Sequence, residues 1–209
     1  LLSQNHSLGQ DSLLFKFPKN TYFKKNLTSK FDEEIYILNG SIKFSGNILN
    51  KDFYSYIPSG YEKKMFSSLK GATGIIFLNK QTKKTKKINN FYPNFFHEDW
   101  IPRINCFENI WSSPPNELKY IDLNNCGARV NILRADETTN NNTFLVGFPP
   151  LWSFPEVCNL GGILEIFLIN GNVNNSKGSM RAGSYLRIPH GSFLSSMYSK
   201  ESAVFLFKT

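Results

Sequence analysis

Glu34-Ile-Tyr-Ile-Leu-Asn-Gly40, followed by Tyr54-Ser-Tyr-Ile-Pro-Ser-Gly60, returns later in the chain as Glu165-Ile-Phe-Leu-Ile-Asn-Gly171 and Tyr185-Leu-Arg-Ile-Pro-His-Gly191. One offset of 131 residues aligns both segments without a gap. The match reaches back to Phe17-Pro18 against Phe148-Pro149 and includes Phe23 against Phe154. Conservative pairs such as Tyr36 with Phe167 and Ile42 with Val173 fill the intervals. Chance does not hold one offset over such a span with Gly and Pro among the identities. The reading is a duplicated unit, and a repeat of this kind sets the architecture before any local assignment.

Working outward, each copy reads as short strands. Ser12 to Phe17 is a strand ended by Pro18, which cannot donate to a ladder. Asp32 to Leu38 is a second, and Asn39-Gly40 after it is the strongest short hairpin signal a sequence offers. Ser41 to Phe44 continues that hairpin, and Ser45-Gly46-Asn47 turns again. Phe53 to Ile57 and Gly74 to Leu78 complete the first copy. Ala128 to Arg134 and Thr143 to Phe148 open the second, which closes on Ala203 to Phe207 after a one-residue slip in the match. No stretch of the first copy holds a 3.6-residue apolar period, and strands at such spacing with turn signals mean a sandwich or barrel. The expected organisation is an all-β chain of two tandem barrels: an N-terminal unit over 1–78, a linker and crossover over 79–123, and a C-terminal unit over 124–209. The crossover carries aromatics such as Phe91, Tyr92, Phe95, Phe96, Trp100 and Trp111, so it is expected to be ordered, with one strand paired across the units.

Bulk properties remove several function classes. Apolar residues make up 41% of the chain, enough to build cores. The net charge of +8 leans on the tract Lys80 to Lys87, which reads as a solvated linker. Arg is scarce and is not interleaved with aromatics along a groove, so no nucleic-acid partner is expected. No apolar run reaches membrane-spanning length, so no membrane partner is expected either. The beginning, Leu1-Leu-Ser-Gln, lacks a charged segment followed by an apolar core, so it does not read as a signal peptide. Cys106, Cys126 and Cys158 are too few and too widely spaced for a disulfide framework or a structural zinc site, and they read as buried thiols of a cytoplasmic protein.

The acidic-aliphatic strand ending in Asn-Gly, and then Ala182-Gly-Ser-Tyr-Leu-Arg-Ile-Pro-His-Gly191, resemble the two motifs of the cupin superfamily. In the first copy Asp52 stands where that motif has its first Gly. The resemblance implies a bicupin of two double-stranded β-helix, or jelly-roll, barrels, closest to the ChrR-type and acetylacetone-cleaving dioxygenase-like cupins. Catalytic cupins resemble one another in holding a metal through a His-x-His and a Glu of the first motif and a late His of the second. In this chain the first copy offers Leu27 and Ser29, then Glu33 (Glu34 by the longer spacing), then Lys63, whose ammonium would lie near a cation. The second copy offers Cys158 and Leu160, then Leu164 (Glu165 by the longer spacing), then Leu194. A catalytic metal wants about three protein ligands. The resemblance therefore implies that both inherited metal sites are lost, and no cofactor is expected.

The remaining candidates are few. His6 reads as part of a loose N-terminal arm. His97 lies beside Glu98 and Asp99, but adjacent residues on an irregular segment rarely converge on one ion. His190 reads as a turn histidine or as a contact at the rim of the second barrel. Cys158 with His190 would make a thiol–imidazole pair only if the fold joined them, and a buried thiol is the simpler reading. Tyr56 and Arg187 share one matched position, and Arg187 near His190 suits an anionic group. The expected function is small-molecule binding, as a sensor or accessory protein, with Glu33, Tyr56, Cys158, Arg187 and His190 as candidate ligand contacts and a homodimer as the expected assembly. The alternative is a metal-dependent dioxygenase or isomerase-like enzyme using shifted ligands such as Cys158, Glu165 and His190.

Overall fold

The computed structural model describes residues 1–5, 9–80, 100–114, 123, 126–136, 141–156 and 162–209. His6, His97, Cys158, Leu160 and most of the lysine tract lie outside these residues. The chain divides into two compact units, Leu1–Asn109 and Ile110–Thr209, and the regular elements described in both are β-strands.

In the first unit the main sheet runs Ser3–Asn5, Gln10–Phe17, Ala72–Lys80, Phe31–Phe44, Phe53–Ile57 and Ile101–Asn105 in spatial order. All of these pairings are antiparallel. The crossover thus gives one strand, Ile101–Asn105, to the edge beside Phe53–Ile57. In the second unit the order is Arg129–Arg134, Thr143–Phe148, Ala203–Lys208, Leu164–Asn170 and Tyr185–Ile188. A smaller sheet of Ser153–Phe154, Met197–Tyr198, Asn172–Asn175 and Gly178–Arg181 accompanies it.

Two local expectations are corrected. Asn39-Gly40 is not a hairpin turn: one strand runs unbroken from Phe31 to Phe44. Its pairing with Ala72–Lys80 skips Leu38, a β-bulge, and Gly40 takes a left-handed φ of 77°. The strand passes there from the main sheet to a partnership with Asn47–Asn50. A Cβ on Gly40 would stand 2.0 Å from the carbonyl oxygen of Gly71. The glycine is needed for a sheet corner, and a corner asks for the same Asn-Gly chemistry as a two-residue turn. The hairpin falls instead at Ser45-Gly46, both at positive φ.

The second correction is that the closing strands match with no slip. Asn170 is opposite Val204, Ile169 is the skipped residue, and Gly171 approaches the carbonyl of Ser202 to 2.5 Å from a would-be Cβ. These are the bulge and corner of the first unit, 131 positions on. Side-chain bonds keep the offset too. Ser68 Oγ donates to the Ser41 carbonyl at 2.7 Å, and Ser199 Oγ donates to that of Asn172 at 2.5 Å.

Alternation along the strands decides which residues fill each interior. Ile35, Ile37, Ile57, Phe44 and Phe66 form the first core. Leu164, Ile166, Leu168, Phe205 and Phe207 anchor the second. Glu33 lies on the face of Ile35 and Ile37, whereas Glu34 and Glu165 lie on the opposite faces of their sheets.

Candidate functional site

The interior-facing carboxylate of the first unit is Glu33. It is directly opposite Ile57, a core residue, and is itself buried. Lys63 comes from the short strand Glu62–Lys63, which pairs with Leu27–Thr28 so that Lys63 and Leu27 are directly opposite. The Lys63 ammonium donates to Glu33 Oε2 at 2.5 Å, with the two side chains 11% and 6% exposed. A charge-assisted bond between buried groups, shielded from water, is of the strong kind. Ser29, between the strands Leu27–Thr28 and Phe31–Phe44, is already engaged. Its Oγ accepts the Phe31 N–H at 3.0 Å, and its carbonyl accepts the Gly60 N–H at 2.8 Å. Near this corner Tyr61 and Trp100 pack with ring centroids 4.6 Å apart, and the buried indole N–H of Trp100 finds no acceptor among the described residues.

The second unit answers the same places differently. Leu164 stands for Glu33 and Leu194 for Lys63, and both are buried members of the core. Leu194, Ile166, Met197, Phe207 and Trp152 surround a wholly apolar gap of about 10 Å³. That is at the lower limit for a single water, and an apolar gap of this size stays dry. Phe148 and Trp152 stack at 4.2 Å, and Phe205 meets both edge-on. Among the described residues this gap is lined by apolar side chains alone.

As a donor set for a divalent ion, Leu27, Ser29, Glu33 and Lys63 do not fit. Three positions lack an imidazole, and the one carboxylate is bonded to the ammonium that stands at the third of them. In the second unit the two described positions are leucines. Among the described residues no three His, Cys, Asp or Glu side chains gather as a cation site.

The outward faces carry buried polar groups of another kind. Glu34 accepts from Tyr54 Oη at 2.8 Å and from Asn79 Nδ2 at 3.3 Å. Tyr56 is directly opposite Glu34, so it lies across the sheet from Glu33. Glu165 is directly opposite Arg187 on one side and Lys208 on the other. Arg187 is half-buried, with a buried Nε that finds no acceptor among the described residues. His190 is exposed in the turn that follows. The structure thus brings Glu33 to Lys63, a pairing for which residues 30 positions apart give no local signal. It sets Arg187 beside Glu165, and it separates Tyr56 from Glu33. Burial first, and then the charge of Asp52, push the Cys106 thiol pKa up. That thiol is protonated and suits packing better than attack.

Similarity to known proteins agrees with this geometry. Residues 112–209 match the ChrR Cupin-like domain family. The structure of a candidate dioxygenase from Nostoc punctiforme PCC 73102 superposes with a TM-score of 0.78 at 18% identity, covering 97% of this chain and 70% of that one. The chain is a cupin-fold protein. Oxalate decarboxylase of Bacillus subtilis, in one variant form, superposes on this chain with a TM-score of 0.60 at 11% identity, over 95% of this chain and 68% of its own. A second structure of oxalate decarboxylase, at 14% identity, gives 0.58 over the same shares. At these identities the likeness is one of fold, and a fold hosts many chemistries. No curated protein matches the sequence.

Proposed function

We propose that this cupin works without a metal ion, as a small-molecule-binding or accessory protein and not as a metal-dependent oxygenase. The observation that carries this reading is the bond from Lys63 to Glu33 in the interior of the first unit. It engages the one carboxylate that the cupin resemblance offers to a metal there. The buried leucines of the second unit, Leu164 and Leu194, support the same reading.

A ligand would sit at a barrel mouth and not deep inside. The Tyr61–Trp100 pair offers paired aromatic rings. They suit a small planar ligand. Arg187 and His190, three residues apart, offer a second rim suited to an anionic group. The dioxygenase reading through Cys158, Glu165 and His190 gains no support from Glu165, which faces away from the core. Elemental analysis of protein expressed with added Fe, Mn, Ni and Zn tests the proposal. No metal in stoichiometric amount is expected, and one ion per chain would overturn it.

A further inference from the structure

The pair Glu33–Lys63 and the pair Leu164–Leu194 occupy matched positions, and they differ as pairs. Where one unit has an anion it also has a cation, and where the other has lost the anion it has lost the cation. A lone buried carboxylate is expensive, a bonded ion pair is tolerable, and two well-packed leucines are equally tolerable. Each half has therefore reached a neutral interior by its own route.

We infer that the Lys63 ammonium is the resident cation of the first unit: a charge tethered to the chain that holds Glu33 in place and keeps divalent ions out. The inference rests on the metal-free reading above and gives it a mechanism. Lys63 Nζ lies at 2.5 Å from Glu33 Oε2, a bonding contact that leaves no room for an ion between them. Both side chains are nearly water-free, so water screens their charges little. Any doubly charged ion drawn to Glu33 would meet a fixed positive charge at close range, where repulsion lowers affinity by more than about a hundredfold. Leu27, directly opposite Lys63, adds only hydrocarbon.

Two variants of the full chain separate the ammonium from the missing imidazoles. Leu27→His/Ser29→His supplies two imidazoles and keeps Lys63. Leu27→His/Ser29→His/Lys63→His supplies three and removes the ammonium. Both are titrated calorimetrically with Ni²⁺ and with Mn²⁺, after circular dichroism shows native β content. The double variant is expected to bind no ion, and the triple variant one per chain, lost again on adding Glu33→Gln. Equal binding by the two, or no binding by a folded triple variant, would overturn the inference. Should the triple variant not fold, Leu27→His/Ser29→His/Lys63→Gln, which removes the ammonium and keeps two imidazoles, takes its place against the double variant. An ion bound by it and not by the double variant supports the inference, and equal binding overturns it. An ion bound by the wild type and lost in Glu33→Gln also overturns it. An ion that the wild type binds and Glu33→Gln retains lies elsewhere and defeats the metal-free reading, while the comparison with the double variant still decides the role of Lys63.

Discussion

The hydroxyl of Tyr36 donates to Asp52 Oδ1 at 3.1 Å, and Asp52 holds a left-handed φ of 63° where the second unit has Gly183 at 94°. The backbone asks the same of both residues. Asp52 N–H bonds the Ile37 carbonyl at 2.8 Å, and Gly183 N–H bonds that of Leu168 at 2.8 Å. Asp is among the side chains that tolerate this conformation. Its carboxylate ties the corner to Tyr36, while its carbonyl accepts the Cys106 N–H at 3.0 Å.

This cluster makes the fold sensitive to alkali. Burial is the largest cause that raises the Tyr36 pKa above its ordinary 10.0, followed by Cys106 and Asp52. Burial and then Asp52 raise Cys106 above its ordinary 9.0. In the unfolded chain both groups lose their protons near those ordinary values, while the folded chain keeps them. The unfolded state then binds fewer protons, so stability falls as pH rises. Urea unfolding should give a constant free energy from pH 7 to about 9 and a decline above that, approaching about 2.7 kcal/mol per pH unit once both groups titrate. Cys106→Ala should move the onset toward pH 10. A free energy that stays level to pH 11 would contradict the shifts.

The charge pair should behave as a unit. Lys63→Met leaves Glu33 buried without its counter-charge and should cost about 3–5 kcal/mol in denaturant unfolding. Glu33→Leu/Lys63→Leu copies the second unit and should recover most of that loss. If the double replacement is as damaging as the single one, the neutral-interior account of the two halves is wrong.

The corner glycines should separate from the open ones. Gly40→Ala and Gly171→Ala each force a methyl into a carbonyl oxygen and should cost about 3 kcal/mol or more. Gly46→Ala and Gly60→Ala share the positive φ but meet nothing within 4 Å. They should cost about 1 kcal/mol. Thermal melts of the four variants check the ordering.

Much of the fold was legible in the chain because its signals are local or repeated. The offset of 131 survives as matched bulges, matched corners and matched serine bonds. Phe53–Ile57 and Thr143–Phe148 have the limits that their β-branched and aromatic runs imply. Asn39-Gly40 misleads because a tight turn and a sheet corner both need a residue at positive φ, and only the long-range approach of Gly71 decides between them. The inward side of Glu33 follows from the alternation with Ile35 and Ile37. Its partner follows from no local pattern: only the cupin resemblance, which puts Glu33 and Lys63 in one ligand set, brings them near, and the pairing of Leu27–Thr28 with Glu62–Lys63 places Lys63. The apolar second interior was open to reading at Leu164 and Leu194, but its closeness of packing is a property of many side chains together.

Anomalous X-ray scattering from crystals grown with Mn²⁺, Ni²⁺ and Zn²⁺ reads directly whether Lys63 or a metal ion neutralises Glu33. No anomalous peak is expected within bonding reach of Glu33, and continuous density should join its carboxylate to the Lys63 side chain. A peak coordinated by Glu33, with Lys63 swung away, would contradict it.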